Sequence, residues 1–139
     1  MIQIIFACVH NAGRSQMAAA FFNRMADREK ARAISAGTDP GERVHPEVVT
    51  VMKEVGIDIS AARPQRLTQD MARQGSLLVT MGCGEACPVV PGLRREDWPI
   101  ADPKSRSLED IRHLRDEIGA MVQKLVAAEG WTTAAERGG

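Results

Sequence analysis

Ile2 to Cys8, Ile-Gln-Ile-Ile-Phe-Ala-Cys, is a nearly unbroken apolar run that passes through a short glycine-containing loop into a row of helix formers. A strand with one wet face alternates apolar and polar residues. A continuous run instead suits a strand covered on both faces, as in a parallel sheet between helices. Arg14 to Lys30 carries Met17, Ala20, Phe21 and Met25 and contains neither Pro nor Gly, which predicts the first helix. A strand that feeds a helix directly needs further parallel strands beside it, reached by crossovers.

The remaining sequence supplies them. Arg32 to Ser35 reads as a second strand, stopped by Gly37 and the turn Asp39-Pro40-Gly41. Pro46 opens a helix with Val48, Val49, Met52 and Val55 at helical spacing, and Gly56 is placed to cap it. Leu77 to Met81 is a third strand, and a fourth is expected near Trp98. Ser107 with Asp110 resembles a capping box ahead of a long helix whose apolar face includes Ile111, Leu114, Ile118 and Leu125. The expected architecture is α/β, a four-stranded parallel sheet flanked by helices. With 139 residues and no linker or repeat, residues 1–131 are expected as one catalytic domain and 132–139 as a flexible tail.

Charge narrows the partners. Lys and Arg total 18 against 18 Asp and Glu, so the chain offers no overall field for nucleic acid or a membrane surface. No apolar run nears the ~20 residues of a membrane span, and no charged leader precedes Ile2. Three cysteines, an odd number, suit reactive thiols in a reducing compartment better than a secreted disulfide framework. The expectation is a cytoplasmic protein whose anion binding is local.

Cys8-Val9-His10-Asn11-Ala12-Gly13-Arg14-Ser15 provides such a locality. Between a strand and a helix, the amides of Val9 to Gly13 can curl into a nest for a tetrahedral oxyanion, reinforced by the helix dipole. Arg14 can add a planar fork. Each feature favours negative charge at the loop centre, hence a thiolate at Cys8 placed beneath the central atom of a bound oxyanion. Ser15 can donate its hydroxyl to that sulfur, and His10 could tune it. The competing reading makes Cys8 an inert buried residue at a strand end.

The loop resembles the phosphate-binding loop of the low-molecular-weight protein tyrosine phosphatases and of the arsenate reductases built on their fold. Arg14-Ser15-Gln16-Met17-Ala18, Ser35-Ala36-Gly37-Thr38, Gly56-Ile57-Asp58-Ile59-Ser60 and Trp98-Pro99-Ile100-Ala101-Asp102-Pro103 resemble further motifs of that superfamily, in the same order. The resemblance implies that Asp102 is the general acid, although Asp102-Pro103 also reads as a plain turn starter. Phosphatases of the family place aromatic residues beside that proline. Here Lys104-Ser105 follow, the chain has no tyrosine, and Trp98 is the main candidate for an aromatic wall.

Cys83-Gly84-Glu85-Ala86-Cys87 follows the third strand. The resemblance to thioredoxin-coupled arsenate reductases implies a relay. Cys8 attacks arsenate, Cys83 attacks Cys8 and expels arsenite, and Cys87 moves the disulfide out to Cys83–Cys87, where thioredoxin or another thiol donor reduces it. No bound cofactor or metal is implied. The pair is closer together than in the best-known relatives, which leaves the order of the last steps open. Ala19 stands where those relatives often carry a potassium-binding glutamate, so potassium dependence is not implied. The alternatives are a tyrosine or small aryl phosphatase, a reductase served by a low-molecular-weight thiol and a glutaredoxin-like partner, and a non-catalytic oxyanion binder.

Overall fold

The computed structural model describes residues 2–82 and 90–133. Strands β1 Ile2–Cys8, β2 Ala31–Gly37, β3 Leu77–Thr80 and β4 Arg94–Asp97 form one sheet in the order β2-β1-β3-β4, with every pair parallel. Helices α1 Arg14–Met25, α2 Pro46–Glu54, α3 Gln69–Gln74 and α4 Leu108–Ala128 complete the α/β arrangement expected of the apolar β1. β1 lies between β2 and β3, so the strand order reverses beside it. A crevice outside the carboxyl ends of the strands is the usual ligand position at such a switch point.

Alternation along β1 divides the core. Ile4 and Phe6 face the larger layer with Met17, Phe22, Met52, Ile118 and Val122, while Ile5 and Ala7 face Ala36, Leu67 and Leu78. All four strand residues are fully buried. Each large apolar side chain so covered contributes about 1.5–3 kcal/mol, which is why β1 has no polar face. Phe6 touches the rings of both Phe22 and Trp98, at centroid separations of 6.0 and 5.7 Å.

Several boundaries differ from the sequence expectations. The first helix ends at Met25 rather than near Lys30. Ala26 bridges Thr132, and the Asp27 amide donates to the Trp131 carbonyl, so pairing with a distant segment replaces the next helical turn. β2 is longer than expected because it pairs with all of β1, from Ile2–Ala31 to Cys8–Gly37. α3 has no counterpart among the sequence expectations. Thr68 caps it by accepting from the Met71 amide, a local signal without enough apolar periodicity to stand out. The Ser107 cap is as expected, with its hydroxyl accepting from the Asp110 amide at 3.1 Å. Of the tail expected from Thr132, that residue is bridged and residues 134–139 lie outside the described part. No described helix is long and apolar enough to cross a membrane.

Ions join α2 to α4. Glu54 accepts from Arg112 (2.8 Å) and from Arg115 (2.9 Å), and Arg115 also donates to the Val51 carbonyl. The Arg112 hydrogen bond is the main cause holding the Glu54 carboxyl below its ordinary 4.5. A carboxyl lowered on folding stabilises the fold above its unfolded value, and that stability is lost as pH falls through the lower folded value. Glu54→Gln is therefore expected to flatten the acid side of the stability–pH curve measured by urea unfolding between neutral pH and pH values below 4.5. An acid limb identical to that of the wild type would remove this pair as a source of it.

Candidate active site

The parallel register brings the carboxyl end of β1 level with Gly37, and the chain then turns away through the loop Val9 to Gly13. The loop carbonyls point outward and are all occupied. Cys8 O accepts from the Thr38 amide (3.1 Å), Val9 O from Asp39 (2.8 Å), His10 O from Gly41 (2.9 Å) and Ala12 O from His45 (2.9 Å). Asn11 O accepts from the Gln16 side chain at 3.1 Å. Among the described residues, none of the amides of Val9 to Gly13 donates to another group. Carbonyls held outward leave the peptide N–H groups facing the loop centre, which is the geometry of an anion nest. Gly37 permits the close approach, since a Cβ there would lie 2.6 Å from the Val9 carbonyl oxygen.

Asn11 holds the loop together. Its φ is +51°, one of the few left-handed values outside glycine. Its Nδ2 donates to Ser15 Oγ at 2.7 Å, and its Oδ1 accepts from Gln16 Nε2 (3.1 Å) and from the Gln65 amide (3.0 Å). Ser15 Oγ is also 2.8 Å from Cys8 Sγ. Because Ser15 already accepts from Asn11, its own proton is available for the sulfur. Cys8 is only 2 % exposed, and its sulfur meets the buried Ser15 hydroxyl that Asn11 holds.

Arg14, at the first position of α1 and 8 % exposed, donates from Nη1 to the Ile100 carbonyl at 3.1 Å. Its Nη2 faces Asp102 Oδ2 at 3.8 Å. Asp102 forms the turn the sequence suggested. Its other oxygen accepts from the Lys104 amide (3.0 Å) and its carbonyl from Arg106 Nε (2.7 Å), which makes a turn. At the same time its carboxylate meets the buried arginine. The Asp-Pro turn also packs onto the loop, because a Cβ on Gly13 would lie 2.6 Å from Pro103 Cγ.

Two expectations about side chains are corrected. The His10 ring does not face the sulfur. Its Nδ1 donates to the Asp39 carbonyl at 2.9 Å, so the ring braces the outside of the loop. Trp98 is not an aromatic wall. At 6 % exposure it packs on Phe6, with its Nε1 donating to Glu96, because the apolar layer under β4 takes it into the core. Cys83 and Cys87 lie outside the described residues. The chain approaches them from the site, since Thr80 pairs with Ala7 and the Met81 amide donates to Ala7 O. Gln16, Gln65 and the Ile100 carbonyl were not identified from the sequence. Gln16 lies in the first helix, where a glutamine is an ordinary helix former, while Gln65 and Ile100 act through backbone atoms, which no residue type signals.

Residues 3–133 match the family model described as low molecular weight phosphotyrosine protein phosphatase. An arsenate reductase of Staphylococcus saprophyticus is 35 % identical over 125 residues, covering 87 % of this chain and 93 % of the relative. Among solved structures, a thioredoxin-dependent arsenate reductase of Corynebacterium glutamicum superposes with a TM-score of 0.79 at 36 % identity, covering 92 % of this chain. The chain spans 61 % of that protein's length. An arsenate reductase from Archaeoglobus fulgidus superposes with a TM-score of 0.76 at 32 % identity, covering 89 % of this chain and 98 % of its own.

Removing the Asn11 hub is expected to cost about 2–4 kcal/mol in Asn11→Ala, from lost hydrogen bonds, a stranded Gln65 amide and left-handed backbone. Asn11→Gly relieves only the last and should recover about 1 kcal/mol. Chemical denaturation of both variants checks the difference. Equal stabilities would mean that the positive φ carries no strain.

Proposed function

The chain belongs to the low molecular weight phosphotyrosine protein phosphatase family, and from that premise we propose that it is an arsenate reductase driven by protein thiols. The observation that carries the reading is Cys8 Sγ at 2.8 Å from Ser15 Oγ, inside a loop whose carbonyls all turn outward and which the buried Arg14 closes. Such a site suits a compact tetrahedral oxyanion bound by the Val9–Gly13 amides and the Arg14 fork.

In the proposed reaction the Cys8 thiolate attacks arsenic, and Asp102 protonates the departing oxygen so that it leaves as water. Ser15 holds the sulfur by its hydroxyl. The thiolate of Cys83 then attacks Cys8 Sγ. A sulfur–sulfur bond forms, and the electron pair of the sulfur–arsenic bond passes to arsenic, which departs as arsenite. Attack by Cys87 on Cys83 returns Cys8 as a thiolate and leaves a Cys83–Cys87 disulfide for a thioredoxin-like dithiol. The C. glutamicum relative named thioredoxin-dependent supports that class of donor. The other named relatives are arsenate reductases too. We place this chemistry in one domain, residues 1–131, in the reducing cytoplasm.

The second reading is hydrolysis of aryl phosphates, for which Cys8, Arg14 and Asp102 would suffice. Burial of Trp98 and the Lys104-Ser105 sequence beside Pro103 leave no aromatic side chain there to wall a phenyl ring, which favours the inorganic substrate.

Cysteine variants separate the readings. Cys8→Ser should abolish arsenite formation, and substantial turnover in it would remove Cys8 as nucleophile. Cys87→Ser should release roughly one arsenite per protein and then stop in an assay coupled to thioredoxin, whereas Cys83→Ser should release none. Sustained aryl-phosphate hydrolysis with no arsenate reduction, indifferent to both changes, would establish the phosphatase instead. Asp102→Asn is expected to slow the first step by about 10²–10⁴-fold in single-turnover measurements.

A further inference from the structure

The guanidinium of Arg14 rests against the backbone of Gly82. A Cβ on Gly82 would fall closer than 3.0 Å to Arg14 Nη1 and 3.2 Å from Cζ. The φ of Gly82 is +97°, which L side chains rarely adopt. Arg14 has little room to yield. It is buried, it begins a helix, and the nitrogen a methyl group would displace is the one bonded to the Ile100 carbonyl. Among the described glycines, Gly82 alone meets the arginine; Gly13 meets Pro103, and Gly37 meets Val9 and Asn11.

A planar fork makes two parallel bonds to an oxyanion only when its plane is fixed. The Ile100 carbonyl fixes one edge of that plane. A bare peptide surface at residue 82 meets the Nη1 end, nearer to that nitrogen than to Cζ. We propose that Gly82 is a positioning residue of the oxyanion site, its missing side chain being the seat that sets the orientation of the Arg14 guanidinium. The inference rests on Arg14 being an oxyanion ligand. Gly82 is also bonded to Cys83, so the seat of the arginine is the peptide that enters the cysteine pair.

The test is a titration of the full chain with inorganic phosphate, followed by two-dimensional NMR, which reads affinity and folding together. Arg14→Lys should weaken phosphate binding; unchanged binding would overturn the site reading and this inference with it. Gly82→Ala should weaken phosphate about tenfold or more, the scale of one charge-assisted hydrogen bond. It should also move the Arg14 Nε–Hε resonance before any phosphate is added. In the Arg14→Lys background the same change at residue 82 should cost less than about twofold, because the group it displaces is gone. Equal loss in both backgrounds, or an unmoved Arg14 resonance, would show that residue 82 does not act through the guanidinium. If Gly82→Ala fails to fold, Gly82→Asn carries a Cβ on a residue more tolerant of positive φ and serves the same cycle.

Discussion

The outward bonding of the carbonyls from Cys8 to Ala12 is the constraint on which the candidate site depends. Five acceptors are occupied from outside the loop, four by amides of the β2–α2 connection and one by Gln16. Each bond orients a peptide, and each peptide oriented this way turns its N–H toward the loop centre. The arrangement requires β2 to run beside β1 up to the Cys8–Gly37 pair, and it requires residue 37 to lack a Cβ. The sheet register therefore shapes the anion nest.

Burial of charge shapes the candidate site. A guanidinium taken out of water is costly unless its donors are satisfied. Arg14 has the Ile100 carbonyl and, less closely, the Asp102 carboxylate, and its Nη1 end lies against Gly82. Asp102 keeps its side chain 46 % exposed, so the acid stays open to solvent while its partner does not. A small oxyanion entering between the loop amides and Arg14 offers acceptors to donors that are already oriented. A large aryl group would find Lys104 and Ser105 beside Pro103, and a tryptophan turned into the core.

The layer beneath the sheet is what keeps these distances constant. Phe6 is the residue of β1 nearest Cys8 on its face, and it is packed between Phe22 of α1 and Trp98 just after β4. α1 thus delivers Arg14 and Ser15 at its amino end while anchoring by Phe22 further along, and α4 covers it from outside. Trp98 precedes the Asp-Pro turn, so burial of its ring also anchors the segment that carries Ile100 and Asp102.

Much of this was legible in order along the chain. The nearly unbroken apolar run of β1 implied a covered parallel strand, the cysteine–arginine spacing implied an oxyanion loop, and Ser107 announced α4, because each is a local pattern with a local physical cause. What only the tertiary structure decided involves partners far apart in sequence. The Asn11 side chain meets the Gln65 amide, Arg14 meets the Ile100 carbonyl, and Ala26 leaves its helix to pair with Thr132. Backbone groups are the same in every residue, so a contact made through them leaves no mark in the residue types. Trp98 and His10 show the converse. Their chemistry suggested a substrate wall and a thiolate neighbour, but which way a ring points is settled by the packing space around it, and here the core claimed one and the Asp39 carbonyl the other.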